Sequence, residues 1–303
     1  KIDDYTYFLP YATSLRMSDY GYTNTKISKL NISLNSLDEY IKDLRLATLK
    51  KDPDLTELIN QEESVLSQLN HNILQIENEY YAVARVKSSL SNYMRETSKL
   101  QFGGIDFIEL RSIDLNPFAP CGIDDDTAIF LEIFCIYCIL ADEDLLFNVE
   151  FNNIKLNDSL VSKQGRIEGL KLINNNKEVL LADWGNEIFD QISNIAELIE
   201  DEKKEYSDAI NRLRLRIEDS TLTPSSRILE KVSAEKTSYH DLAISIGKEN
   251  KIEFLSISPE INNNWGILSE EANHSVELTK KIELETEITF DEFLRQYQNE
   301  SID

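Results

Sequence analysis

The sequence predicts an α+β protein, with sheet material in its first half and helices in its second. Three observations carry this. Two stretches before residue 112 alternate with period two, residues 128–141 form one apolar run, and apolar residues beyond about residue 145 recur at three- and four-residue steps. At 303 residues the chain can bury a sizeable core, as one large domain or two smaller ones.

Residues 1–24, rich in Tyr, Thr, Ser and Asp, read as irregular chain that lines something. Leu34 to Leu49 has helical spacing behind an Asn35/Ser36 start signal, and the charged stretch 50–70 is punctuated by Pro53. The first predicted strand is Ile73–Tyr81, with Gln75, Glu77, Glu79 and Tyr81 on one face. The second is Ile105–Arg111, with Phe107, Glu109 and Arg111 on one face and Ile108 and Leu110 on the other. Gly103 and Gly104 before it allow a sharp turn. After a loop at 116–120, Asp124 to Asp126 cap an apolar helix at its positive end. That run, Ala128 to Ala141 with Glu132 inside it, is shorter than the roughly 20 residues a membrane span needs and is expected to be a buried helix. Residues 155–181 are mixed, with a turn at Asn174–Asn176. Residues 186–218 form an amphipathic helix or a pair of them, and 225–246 and 289–297 are helical too.

Only nine glycines and six prolines argue against a disordered chain. A net charge of -24 repels phosphate backbones, so no nucleic-acid partner is expected. Cys121, Cys135 and Cys138 make no disulfide framework, no signal-peptide pattern is visible, and a reducing cytoplasm fits best. Cys135 and Cys138 have C-x-x-C spacing, but no second pair exists and His71, His240 and His274 lie far away. Inside an apolar helix they are expected to be buried core thiols. Walker A, G-x-G-x-x-G and nucleophile-elbow patterns are absent from the sequence.

Glu109 and Arg111 are the sharpest local feature. Two apart on a strand, they project the same way. A carboxylate beside a guanidinium suits a metal–phosphate complex, the acid binding the cation and the arginine a phosphoryl oxygen. On pattern alone a plain salt bridge on a wet sheet face is the commoner arrangement. The Gln75/Glu77/Glu79/Tyr81 face, taken alone, is more often solvated than a ligand set.

Three blocks together resemble the glutamate–cysteine ligases of proteobacteria: Tyr7 to Asn24 (YFLPYATSLRMSDYGYTN), Asn72 to Ala82 (NILQIENEYYA) and Gly103 to Phe118 (GGIDFIELRSIDLNPF). Beyond residue 145 the likeness thins to Gly165-Arg166 and Ser226–Leu229. The resemblance implies part of a glutamine synthetase-like antiparallel sheet with flanking helices, residues 1–145 belonging to that catalytic sheet domain. Residues 146–303 would then be a mainly helical region packed on it. It implies ATP-dependent joining of L-glutamate to L-cysteine through a γ-glutamyl phosphate, the first step of glutathione biosynthesis, with ATP as co-substrate and Mg2+ (or Mn2+) as cofactor. By motif position Glu109 resembles a magnesium ligand and Arg111 the cation on the transferred phosphate. Arg16 resembles a second cation for carboxylate or phosphoryl oxygens, and Tyr22 and Tyr81 the phenols of the cysteine site.

The sequence departs from the family where Val83 stands in place of a common proline, and where the stretch 50–70 matches poorly. The chain begins at Lys1, and the long acidic N-terminal half that precedes the first block in the family is not part of it. The chain is therefore expected to be a C-terminal portion, inactive as a ligase by itself and associated with no membrane. Two other readings stay open: a related ATP-dependent carboxylate–amine ligase with another amine acceptor, and a non-catalytic remnant.

Overall fold

A computed structural model describes residues 6–21, 30–54, 69–90, 94–141, 145–200, 202, 204–257, 264–285 and 288–299. The fold is α+β, with two small two-stranded antiparallel sheets among many helices. The first packing centre forms around α1 (Leu37–Leu49), which Ser36 caps by accepting the Glu39 N–H at 3.2 Å. Tyr40, Ile41, Leu44 and Ala47 recur on one face of α1 and pack with Ile32, Leu74 and Leu100. Leu100 comes from α2 (Glu96–Gly103), a short helix absent from the sequence expectations. Strands β1 (Ala84–Lys87) and β2 (Phe107–Leu110) form an antiparallel pair in which Arg85 faces Glu109.

The stretch Ile73–Tyr81 is not a strand. Its backbone turns through a 3-10 helix at Glu77–Glu79. Local side chains take the bonds that a ladder would use: Glu79 accepts the Gln75 N–H at 2.6 Å, and Gln75 accepts the Leu69 N–H at 2.7 Å. Glu77, expected on a solvated face, is 2% exposed. It pairs with Arg95 at 2.7 Å and accepts the Thr97 hydroxyl at 2.9 Å. Arg45 and Thr48 of α1 extend this polar network beneath the turn, Arg95 donating to Thr48 at 3.0 Å.

The second packing centre is a three-helix cluster of α3 (Asp125–Leu140), α5 (Leu181–Ile199) and α6 (Glu205–Glu218). Asp124 caps α3 as expected, accepting the Thr127 N–H at 2.8 Å. Burial pushes the Asp124 carboxyl up, but Thr127, Arg216 and Asn116 outweigh it and leave the group below its ordinary range. The expected full burial of α3 does not hold. Ile129, Phe130, Ile133, Phe134 and Tyr137 form one stripe against α5 and α6, while Ile139 is 81% exposed. Cys135 and Cys138 lie off that stripe and, with Cys121, are exposed rather than core thiols. The predicted pair at 186–218 is α5 followed by α6.

Helix α4 (Asn148–Gln164) precedes the hairpin β3 (Lys171–Asn174) and β4 (Lys177–Leu180). Its two-residue turn is Asn175-Asn176, both at positive φ, as the asparagine run predicted. Among the described residues, the remaining α-helices are α7 (Pro224–Glu235), α8 (Tyr239–Ser256), α9 (Trp265–Glu285) and α10 (Phe290–Asn299). Among the described residues, no helix is long and apolar enough to cross a membrane.

Candidate functional site

The site is built where the start of the described chain meets the end of α4. The last carbonyls of a helix lack intrahelical donors. Here Thr13 and Ser14 supply them, both backbone N–H groups donating to Ser162 O, at 3.0 and 3.2 Å. The Thr13 hydroxyl adds a bond to Val161 O at 2.7 Å. Gly165 makes this approach possible, since a Cβ there would meet Thr13 Cγ2 at 2.6 Å. Arg166 completes the clamp, donating to the carbonyls of Ala12 at 3.0 Å and Pro10 at 2.6 Å. Sequence reasoning gave Arg166 no role. The Gly165-Arg166 pair was nonetheless a family signal.

So anchored, the chain makes a 3-10 turn, Leu15–Met17, capped by Ser14, and Arg16 projects from it. A side chain on Gly21 would overlap the Arg16 backbone, so glycine lets the following loop close over this turn. Arg16 spends its donors in three directions. Nε meets Asp114 Oδ1 at 2.5 Å, and Nη1 donates to the Tyr81 hydroxyl at 2.7 Å and to Arg111 O at 3.0 Å. The Asp114 carboxylate pushes the Arg16 guanidinium above its ordinary value. Asp19 pairs instead with Lys163, at 2.7 Å.

Tyr81 enters from the turn after Glu77–Glu79. Arg85 on β1 holds that turn, donating to Tyr80 O and, at 2.7 Å, to Asn78 O. Burial, with the Arg111 charge adding to it, pushes the Arg85 guanidinium below its ordinary value. The Arg111 guanidinium lies 5.0 Å from the centre of the Tyr81 ring. Arg111 follows β2 directly, its N–H continuing the ladder to Val83 O at 2.8 Å. Its Nε is 3.7 Å from Glu109 Oε1, so the two residues share a strand face, as their spacing predicted.

Two guanidinium nitrogens here, Arg16 Nη2 and Arg111 Nη1, are buried with no acceptor among the described residues. A buried donor without a partner is costly, and two of them beside one phenol form a cationic cradle suited to an anion. Glu109 is the one acid of the predicted site set. Among the described residues, no three His, Cys, Asp or Glu side chains gather as a metal site. Of the predicted residues, Arg16, Tyr81, Glu109 and Arg111 come together, and Tyr22 lies outside the described residues. Asp114, which orients Arg16, was missed by sequence reasoning, although it stands in the same block three residues after Arg111.

A family model described as glutamate-cysteine ligase matches residues 1–161, which takes in Arg16, Tyr81, Glu109, Arg111 and Asp114. The chain belongs to the glutamate–cysteine ligase family. It is 35% identical over 258 residues to the glutamate–cysteine ligase of Shewanella amazonensis, covering 84% of this chain and 49% of that protein. To the glutamate–cysteine ligase of Pseudomonas aeruginosa it is 33% identical over 300 residues, covering 98% of this chain and 56% of the other. The crystal structure of the Francisella tularensis glutamate–cysteine ligase in complex with AMP superposes with a TM-score of 0.83 at 33% identity, over 95% of this chain and 57% of that one. The chain thus spans about half the length of the curated relatives that it matches. In this glutamate–cysteine ligase family member Arg16 bonds the Tyr81 hydroxyl, and the Arg111 guanidinium lies over the Tyr81 ring.

Proposed function

We propose that this chain supplies the cationic side of an ATP-dependent glutamate–cysteine ligase, which forms γ-glutamylcysteine through a γ-glutamyl phosphate. The observation that carries this is the pair of buried guanidinium donors with no acceptor among the described residues, Arg16 Nη2 and Arg111 Nη1, flanking Tyr81. In this reading Arg111 takes an oxygen of the phosphoryl group moving from ATP to the glutamate side chain, where negative charge gathers. Arg16 holds a second oxygen, of phosphate or substrate carboxylate, and is itself fixed by Asp114. Tyr81, held between the two arginines, walls the pocket of the attacking cysteine, with Tyr22 as its companion. Orientation by these fixed donors accounts for much of the barrier reduction expected of such a site.

Glu109 fits a hard divalent cation as one oxygen ligand, and Mg2+ (or Mn2+) bound there would neutralise charge on the ATP oxygens. One carboxylate does not complete a coordination shell, so ATP oxygens, water and further residues of the full-length enzyme would supply the rest. For the same reason the 303-residue chain alone is proposed to be inactive. Residues 1–145 would form part of the catalytic sheet domain and 146–303 the helical region packed on it. We place the enzyme in the cytoplasm, associated with neither membrane nor nucleic acid.

The test is ADP release by the full-length protein with ATP, glutamate and a panel of amines. Release that requires glutamate and is fastest with cysteine supports the assignment. Release with another amine but not with cysteine would move it to a related carboxylate–amine ligase. No release with any amine would refute the catalytic reading.

A further inference from the structure

Helix α10 reaches the turn that carries Tyr81. The Tyr297 hydroxyl on α10 donates to Glu77 Oε2 at 2.8 Å, and the Arg95 guanidinium lies 5.3 Å from the centre of its ring. Glu77 has its other oxygen engaged, Oε1 accepting from Arg95 Nε at 2.7 Å and Thr97 Oγ1 at 2.9 Å. A carboxylate this buried persists only when both oxygens are bonded. A residue near the far end of the described chain therefore satisfies half of the one acid sealed beneath the turn.

That turn leads straight to the site. The Tyr80 N–H donates to Glu77 O at 3.1 Å, and Tyr81, the next residue, is the acceptor of Arg16 Nη1 at 2.7 Å. Arg85 restrains the same turn from above through the Asn78 and Tyr80 carbonyls. Glu77 restrains it from below, and Tyr297 restrains Glu77.

We propose that Tyr297 is a positioning residue: its phenol fixes the Glu77–Tyr81 turn and so sets where the Tyr81 hydroxyl stands against Arg16. The kinetic part of this inference rests on the ligase reading; the structural part does not. Tyr297→Phe in the full-length protein keeps the ring beside Arg95 and removes only the hydroxyl. Hydrogen exchange at residues 77–81 should become about tenfold faster, while exchange in α5 and α6 stays as in the wild type. The KM for the amine acceptor should rise about tenfold, with kcat within about twofold. Unchanged exchange at 77–81 overturns the proposal, as does acceleration that extends equally to α5 and α6. Faster local exchange with an unaltered KM also overturns it, since the turn would then loosen without moving Tyr81. Failure of the wild type to turn over glutamate, cysteine and ATP would defeat the ligase reading instead, and exchange would still decide whether Tyr297 restrains the turn.

Discussion

Arg16→Lys keeps the positive charge and changes only its shape, so it isolates what the guanidinium fork contributes. Arg16 reaches Asp114 through Nε, and Tyr81 and Arg111 O through Nη1, with Nη2 left over for an anion. A single ammonium cannot span those directions. The substitution loses one of the protein contacts and the anion contact, about 3 kcal/mol for hydrogen bonds to charged groups. The side chain is 28% exposed, and solvent screening trims this to about 2 kcal/mol. At 1.36 kcal/mol per decade, kcat/KM of the full-length enzyme should fall about thirtyfold. Steady-state ADP release with glutamate and cysteine measures it, with a thermal melt to confirm the fold is unaffected. If Arg16→Lys stays within about threefold of the wild type, the fork geometry is irrelevant, and the reasoning from the unspent nitrogen fails.

Three further outcomes follow from the same structure. Glu77→Gln removes the buried carboxylate charge that Arg95 meets at 2.7 Å, and should lower stability by about 3 kcal/mol in urea titrations; an unchanged midpoint would refute the buried pair. The folded Asp124 carboxyl lies below its ordinary 3.8, so its ionised form stabilises the protein above that pH, and the contribution is lost as pH falls through the lower folded value. Asp124→Asn, which remains a good N-cap, should therefore flatten the decline in stability between neutral pH and pH values below 3.8. Finally, all three cysteines of the native chain should react with a chromogenic disulfide reagent without denaturant; silence of Cys135 and Cys138 would restore the expectation that this pair are core thiols.

The helices with a strong cap or one clean apolar stripe were legible in the sequence. Ser36 and Asp124 begin α1 and α3, and the stepped isoleucines of 186–218 resolve into α5 and α6. The Glu109/Arg111 face was legible too, because alternation along a strand fixes direction over two residues whatever surrounds it. Ile73–Tyr81 was not, since its imperfect alternation hid side chains that bond their own backbone. The exposed cysteines escaped because α3 is apolar all round, so composition could not say which stripe would find partners. Nor could pattern supply Arg166 or Tyr297. Their partners are 156 and 220 residues away in the chain, beyond any local signal.

Those long separations have a kinetic consequence. Thr13 and Val161 are 148 residues apart in sequence, and the bond between them helps hold Arg16 in place. Closing so large a loop carries an entropy cost that only established secondary structure can offset, because α4 must exist before its C-terminal carbonyls can receive the early stretch of chain. Nucleation is expected within the local helical pairs such as α5 with α6, and the arginine cradle is assembled among the last events of folding. On refolding of the full-length protein, ATP turnover, under the ligase reading, should accordingly lag behind the recovery of helical signal.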